Sequence, residues 1–565
     1  MHADMVFTGG PVYTVDDGFT VARALATTGN TITAVGTEDE IAGLIGPDTT
    51  VIPLEGRCLL PGIDDSHLHA AAYGISTPPM SLDLTHPTVT SIADITAAVA
   101  AATAERPAGT WIVGQGWDTG YLQECLDGDR SMPDKGDLDA VSPDHPVLLV
   151  DFSGHLALAN SVALALGSVD ATTVPPPGGV IDVDDAGEIT GILREAAQAL
   201  VGGAVPPLTR EVREAGIRNA ISSLHRLGIT AYTEPGLGPG GAGLLRGSLE
   251  TPALEVYEGL LARGELDIRV SVLLLPLAFG ESAEALTERV ESLRATHPVT
   301  DPRRLNVIGV KLFADGVPPN ETAYMYAPYG HAHGHGALSS FGETEPEQQQ
   351  ELLTSIKKVH DLGLQAGVHV TGDHGIDLVV RGFAEANEAN PREDSRHYVI
   401  HGDFASPESL TTLGAHGWGI NMNPGIKAQI SDLMDTVVGE DLSARQWPTR
   451  SALDAGALLC ASSDAPITPP LWLNSMAGMM ARTSKATGKV SGAEERVSFA
   501  DALRAHTING ATQSFAELWR GSLETGKVAD LVVLDADLGS LAPEQLPGTA
   551  VVMTVVDGKV VYRAA

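Results

Sequence analysis

Residues Pro61-Gly62-Ile63-Asp64-Asp65-Ser66-His67-Leu68-His69 end an apolar run with two imidazoles two positions apart. In extended chain, side chains i and i+2 project from one face, so His67 and His69 can grip one cation. Neutral imidazole suits zinc and its transition-metal neighbours. Two such histidines also occur as ordinary surface or core residues, so the weight falls on four more groups. Lys311 lies in Gly309-Val310-Lys311-Leu312-Phe313, His369 in Gly367-Val368-His369-Val370, His401 closes Tyr398-Val399-Ile400-His401, and Asp464 follows Ala461-Ser462-Ser463. A charged lysine and aspartate beside apolar strands are costly unless paired or metal-bound. Singly, each of the six reads as a structural ion pair or a satisfied core histidine; together, at matching strand ends, they point to a metal centre.

The elements that must position them alternate in type. Apolar strand segments are expected at Leu59–Ile63, Gly228–Glu234, Ile268–Leu275, Leu305–Phe313, Leu364–Val370, His397–His401, Trp418–Met422 and Ala457–Ser463, with helical stretches between. Eight strands in such alternation fit an α/β fold, a (β/α)8 TIM-like barrel, whose chemistry sits at the C-terminal strand ends. Thr344-Glu345-Pro346-Glu347 has the form of a capping box, and Ser406-Pro407 that of an N-cap followed by proline. Short β segments near both termini predict a small β-sandwich from residues 1–57 and 517–565. The barrel then comprises 58–80 and 207–516, and residues 81–206, which break its rhythm, form an inserted α/β domain.

At 565 residues the chain exceeds a single core, which stops growing near roughly 250–300 residues. A net charge of −37 argues against nucleic acid and anionic membranes as partners and favours a small molecule. Three widely spaced cysteines, Cys58, Cys125 and Cys460, allow no disulfide framework and fit a reducing, cytoplasmic setting. No basic and apolar leader and no run of about 18 apolar residues appears, so a soluble, unsecreted protein is expected.

These motifs, with Ser153-Gly154-His155, Thr190-Gly191-Ile192-Leu193-Arg194-Glu195, Ser463-Asp464-Ala465-Pro466 and Gly521–Leu531, resemble the amidohydrolase superfamily, in the branch of N-substituted formamide deformylases. The resemblance implies that His67, His69 and Asp464 bind one divalent ion, most often zinc, and that His369 and His401 bind a second. It also implies that Lys311 bridges them after carboxylation of its amine by CO2. One departure is His369-Val370-Thr371-Gly372-Asp373, where the family often has His-Ala-x-Gly-Asp. The implied reaction is hydrolysis of a non-peptide C–N bond, an amide, N-formyl or N-acyl group. Deamination or opening of a cyclic amide or ester on the same centre is the alternative, and a non-catalytic barrel acting in assembly is a third reading. A homodimer is an expectation from the resemblance alone. His155, Arg194, Glu195, Glu234 and Tyr324 are candidates for substrate binding, each with a structural role as its counterpart. Tyr326 and Tyr329 share with Tyr324 the choice between lining a pocket and packing a loop, and His331-Ala332-His333-Gly334-His335 reads as a pocket-covering loop rather than a dedicated metal site.

Overall fold

Eight short segments rich in valine, isoleucine and leucine pair edge to edge, all parallel, as buried α/β strands do. In order they are β1 (Ile63–Asp65), β2 (Ile229–Leu237), β3 (Arg269–Leu274), β4 (Leu305–Phe313), β5 (Gln365–Val370), β6 (Tyr398–His401), β7 (Gly419–Met422) and β8 (Leu458–Ala461). This computed structural model describes residues 2–564 except 177 and 331–333. Histidines 331 and 333 therefore lie outside the described residues.

No ladder joins β8 to β1; the segments just beyond their ends close the barrel instead. The amide of Asp464 donates to the His67 carbonyl at 2.9 Å and that of His69 to the Ala465 carbonyl at 2.8 Å. Lower down, the Ser463 amide donates to Asp65 Oδ1 at 3.1 Å and Ser66 Oγ to the Ala461 carbonyl at 2.9 Å. Helix starts follow the expected chemistry: Thr344 and Glu347 form the capping box of Glu345–Asp361, and the Ser406 side chain accepts the Ser409 amide at the start of Pro407–Ala415.

Two expectations change. Leu59 to Ile63 is not one strand: Cys58–Pro61 pairs antiparallel with Leu531–Leu534 in the sheet built from the termini. The chain crosses over at Gly62, whose amide donates to the Asp530 carbonyl at 2.9 Å, while the next amide, Ile63, donates to Gly228 at 3.0 Å. A Cβ at residue 62 would meet Thr230 Oγ1 at 2.1 Å, so only glycine permits the step. The terminal sheet also holds a strand absent from the sequence reading, Val21–Thr28. Its buried alanines, Ala22, Ala24 and Ala26, carry little strand preference of their own. Apolar side chains from both ends of the chain, Phe7, Leu25 and Ile32 with Leu531, Val533 and Val555, pack into one core.

Residues 71–220 form a second compact unit with its own six-stranded sheet and a helix, Ile92–Glu105, capped by Ser91. No described helix is long and apolar enough to cross a membrane.

At the opening of β3 a buried ion pair ties the barrel to the terminal sheet. Arg269 grips Asp530 through Nε at 2.6 Å and Nη2 at 3.0 Å, and reaches Asp557 at 2.5 Å. Burial alone would raise the pKa of Asp530, but the Arg269 charge and hydrogen bonds outweigh it and hold it below the usual value. Asp530→Ala leaves a buried guanidinium short of a partner and should cost about 3 kcal/mol of unfolding free energy by urea titration. Because the folded pKa is depressed, this stability is present above the unfolded carboxylate pKa of about 3.9 and is lost as pH falls through the folded value. The acid-side decline of wild-type stability should therefore be shallower in the variant.

Candidate metal centre

The strand ends bring all six expected groups to one face of the barrel. His67 Nε2 lies 3.3 Å and His69 Nε2 3.6 Å from Asp464 Oδ1. Two ligands held at about 2.1 Å from one tetrahedral ion stand about 3.4 Å apart, so these spacings fit a shared cation. Ligand atoms of His67, His401 and Asp464 lie within 4.8 Å of one another. The rings run on as a chain, His67 to His401 at 5.3 Å and His401 to His369 at 4.6 Å between centroids.

Withdrawal from water sets the protonation of the group. Burial, reinforced by neighbouring positive charge, drives His67 well below the ordinary histidine value, takes His69 down to about 3, and lowers His369 and His401. All four are then neutral at pH 7 and keep lone pairs for a metal. Burial also lowers Lys311 to about 7 against the opposing pull of Asp464. Lys311 is 2% exposed, and its charge is felt by His67, His369 and His401 alike, so it stands among all of them.

Neighbouring groups choose which ring nitrogen faces the centre. His369 Nε2 donates to the Gly316 carbonyl at 3.1 Å, leaving Nδ1 as its lone pair. His401 Nδ1 donates to Asn423 Oδ1 at 2.7 Å, leaving Nε2. Asn423 is held in turn: its amide donates to Ser462 Oγ at 3.0 Å, Ser462 donates to Asn421 Oδ1 at 2.5 Å, and the Asn421 amide donates to Ser66 Oγ at 2.7 Å. The Ser66 bond to Ala461 ends the chain, so every donor has one direction. His401 and Asp464 both adopt positive φ, 73° and 59°. Such backbone costs of order 1–3 kcal/mol per residue and gathers where geometry serves a function.

The remaining expectations fall elsewhere. Glu234, expected to end its strand, lies inside β2, which runs on to Leu237; fully buried, it accepts the Tyr257 hydroxyl at 2.8 Å through Oε2, and its Oε1 lies 3.8 Å from His69 Nδ1. It stands beside His69 at a distance too long for a hydrogen bond to the ring. Tyr324 turns its hydroxyl to Glu345 at 2.5 Å and stacks on His374 at 4.2 Å, and its amide is tied to Asp315. That is the loop-packing arrangement. Within residues 71–220, Arg194 is spent on an ion pair with Asp182 at 2.7 Å, and His155 meets Glu195 at 2.9 Å on an exposed surface. Sequence reasoning passed over Asn421, Asn423 and Ser462; their signal was polar side chains closing the apolar segments at Ile420 and Cys460.

Comparison with known proteins follows the same lines. A model described as "Amidohydrolase family" matches residues 50–562. Protein LONG AFTER FAR-RED 3 of Arabidopsis thaliana is 28% identical, over 99% of this chain and 92% of its own. The N-substituted formamide deformylase of Arthrobacter pascens is 27% identical, over 99% and 98%. The crystal structure of an uncharacterized metal-dependent hydrolase from Pyrococcus furiosus superimposes with a TM-score of 0.71 and 25% identity, covering 95% of this chain and 100% of that one.

Asn423→Ala frees the His401 ring without touching a ligand atom. It should weaken divalent-metal affinity about 10- to 100-fold, read by competition with a chromophoric chelator.

Proposed function

Because the chain belongs to the amidohydrolase family, a family of hydrolases, we propose that it cleaves a non-peptide C–N bond of a small organic molecule, in an amide, N-formyl or N-acyl group. The observation that carries this reading is the convergence of His67 Nε2 and His69 Nε2 on Asp464 Oδ1 beside the buried Lys311. The donor set, neutral imidazoles with one carboxylate, suits zinc and similar divalent ions, one held by His67, His69 and Asp464 and a second by His369 and His401. Such ions, when bound, acidify water and polarise a carbonyl.

The chain's own groups do the rest. Lys311, with its pKa lowered to about 7, offers an uncharged amine to a substantial fraction of molecules at neutral pH. That nitrogen can attack CO2 and lose a proton, which would turn the side chain into an anionic carbamate able to help hold divalent ions. Asp464 takes a proton from the attacking water and returns it to the departing nitrogen, acting as base and then acid. His67 and His69 hold their lone pairs forward, and the Asn423 bond keeps His401 from turning.

Incubation with N-alkyl formamides, acetamides, a matched ester and a cyclic amidine, with product analysis, tests the proposal. We expect formate or acetate plus free amine, lost on chelation and restored by zinc. Asp464→Asn should lower kcat about 10²–10⁴-fold. Ammonia released from the amidine, with the amides untouched, would overturn the assignment.

A further inference from the structure

Beside the seam between β8 and β1 lies a second cavity, of about 850 Å³ counted to its mouth. Its wall includes Asp65 and Ser463, whose bond helps to close the seam, together with Trp472, Ser475, Lys485 and His506. None of the six metal-centre groups lines it. Two helices frame the space, Pro424–Val437 after β7 and Trp472–Ala481 after β8. They approach so closely that a Cβ at Gly478 would meet the Pro424 carbonyl at 2.7 Å. The chain beyond the second helix returns across the first, where the Lys485 amide donates to the Ala428 carbonyl at 2.7 Å. His506 is tied to the barrel by its own carbonyl, which accepts the Asp64 amide at 2.9 Å.

Two buried polar atoms of this wall, His506 Nε2 and Ser475 Oγ, have no hydrogen-bond partner among the described residues. His506 is 2% exposed and Ser475 5%. The other ring nitrogen, Nδ1, donates to the Ala502 carbonyl at 2.8 Å, so Nε2 carries the lone pair. Burial lowers this imidazole to about 4, which leaves it neutral at pH 7 and able only to accept at Nε2. Buried polar groups are costly to leave unpaired. Neighbouring groups do not supply the missing bonds, because the Trp472 indole N–H donates to the Leu227 carbonyl at 2.8 Å and Thr468 Oγ1 to the Ser463 carbonyl at 2.5 Å. Lys485 is exposed and marks the open side. Among the described residues nothing engages its ammonium, and Asp432 on the adjoining helix is taken up by the Ser484 and Thr487 hydroxyls. In a chain of net charge −37, an uncommitted ammonium beside a cavity is a place for an anion.

We propose that this cavity is a ligand site separate from the metal centre, and that it takes a small aliphatic hydroxy acid. The carboxylate meets Lys485 on the open side, where water still reaches it. The methylene chain lies against the Trp472 ring, whose N–H is already spent, and against Ile63 and Leu471. The hydroxyl answers both unpaired atoms at once, since it donates its proton to His506 Nε2 and accepts the Ser475 proton. An amine or an ether at that end satisfies the pair less well, the ammonium having no lone pair and the ether no proton. The assignment is independent of the hydrolytic reading above.

Saturation-transfer NMR on the full-length, metal-loaded protein tests it with 6-hydroxyhexanoate, hexanoate and 1,6-hexanediol. The proteins are the wild type, Lys485→Gln and Ser475→Leu, each checked for metal content and thermal midpoint. We expect the hydroxy acid to bind about tenfold more tightly than either single-ended probe, Lys485→Gln to abolish its advantage over the diol, and Ser475→Leu, which fills the cavity, to weaken all three. Should Ser475→Leu not fold, Lys485→Gln, at an exposed position, decides the matter. Equal binding of the three probes would overturn the site. So would binding of the hydroxy acid that Lys485→Gln leaves unchanged, which would place it at the metal centre instead. No saturation transfer to any probe would mean that water alone fills the cavity, and would overturn the proposal as well.

Discussion

Four imidazoles, a lysine and an aspartate withdrawn from water at one end of a barrel form the constraint on which the rest of this structure turns. Polar groups out of water are costly unless they find partners, and charged ones more so. The imidazoles respond by staying neutral, and neutral imidazoles cannot balance the Asp464 carboxylate. Lys311 balances it only in part, since burial has brought its own pKa down to about 7. A divalent cation among them would resolve the conflict, meeting the lone pairs of the rings and the charge of the carboxylate together.

The same residues also close the fold. Between β8 and β1 the barrel lacks a strand ladder, and the backbone around His67, His69, Asp464 and Ala465 supplies the closing hydrogen bonds. Asp65 strengthens that join from inside, its Oδ1 accepting both the Ser463 amide and the His67 amide. Ligand geometry and barrel closure are therefore one arrangement. The positive φ at Asp464 is borne where closing bonds on both sides over-determine the chain.

Much of this was legible in the amino-acid order, because each ligand-type residue ends or follows an apolar run, and a parallel barrel puts strand ends on a common face. His67, Lys311, His369, His401 and Asp464 could be placed together without coordinates. The supporting shell was not legible for a physical reason: Asn423, Ser462 and Ser66 act through hydrogen bonds between segments some twenty to four hundred residues apart, and no local periodicity records such pairings. Val21–Thr28 escaped notice because alanine buries in a sheet without preferring one. The division at Gly62 escaped because Leu60 and Ile63 are equally apolar, although neighbouring amides bond to different sheets.

The central claim is that the buried cluster exists to hold divalent ions with Lys311 among their ligands. Elemental analysis of metal per chain, on wild type purified without chelators beside Lys311→Ala, tests it most directly. The account predicts up to two zinc-like ions per wild-type chain and their loss together in the variant. Equal metal content in the two proteins, or a wild type that stays metal-free when zinc is supplied, would contradict it.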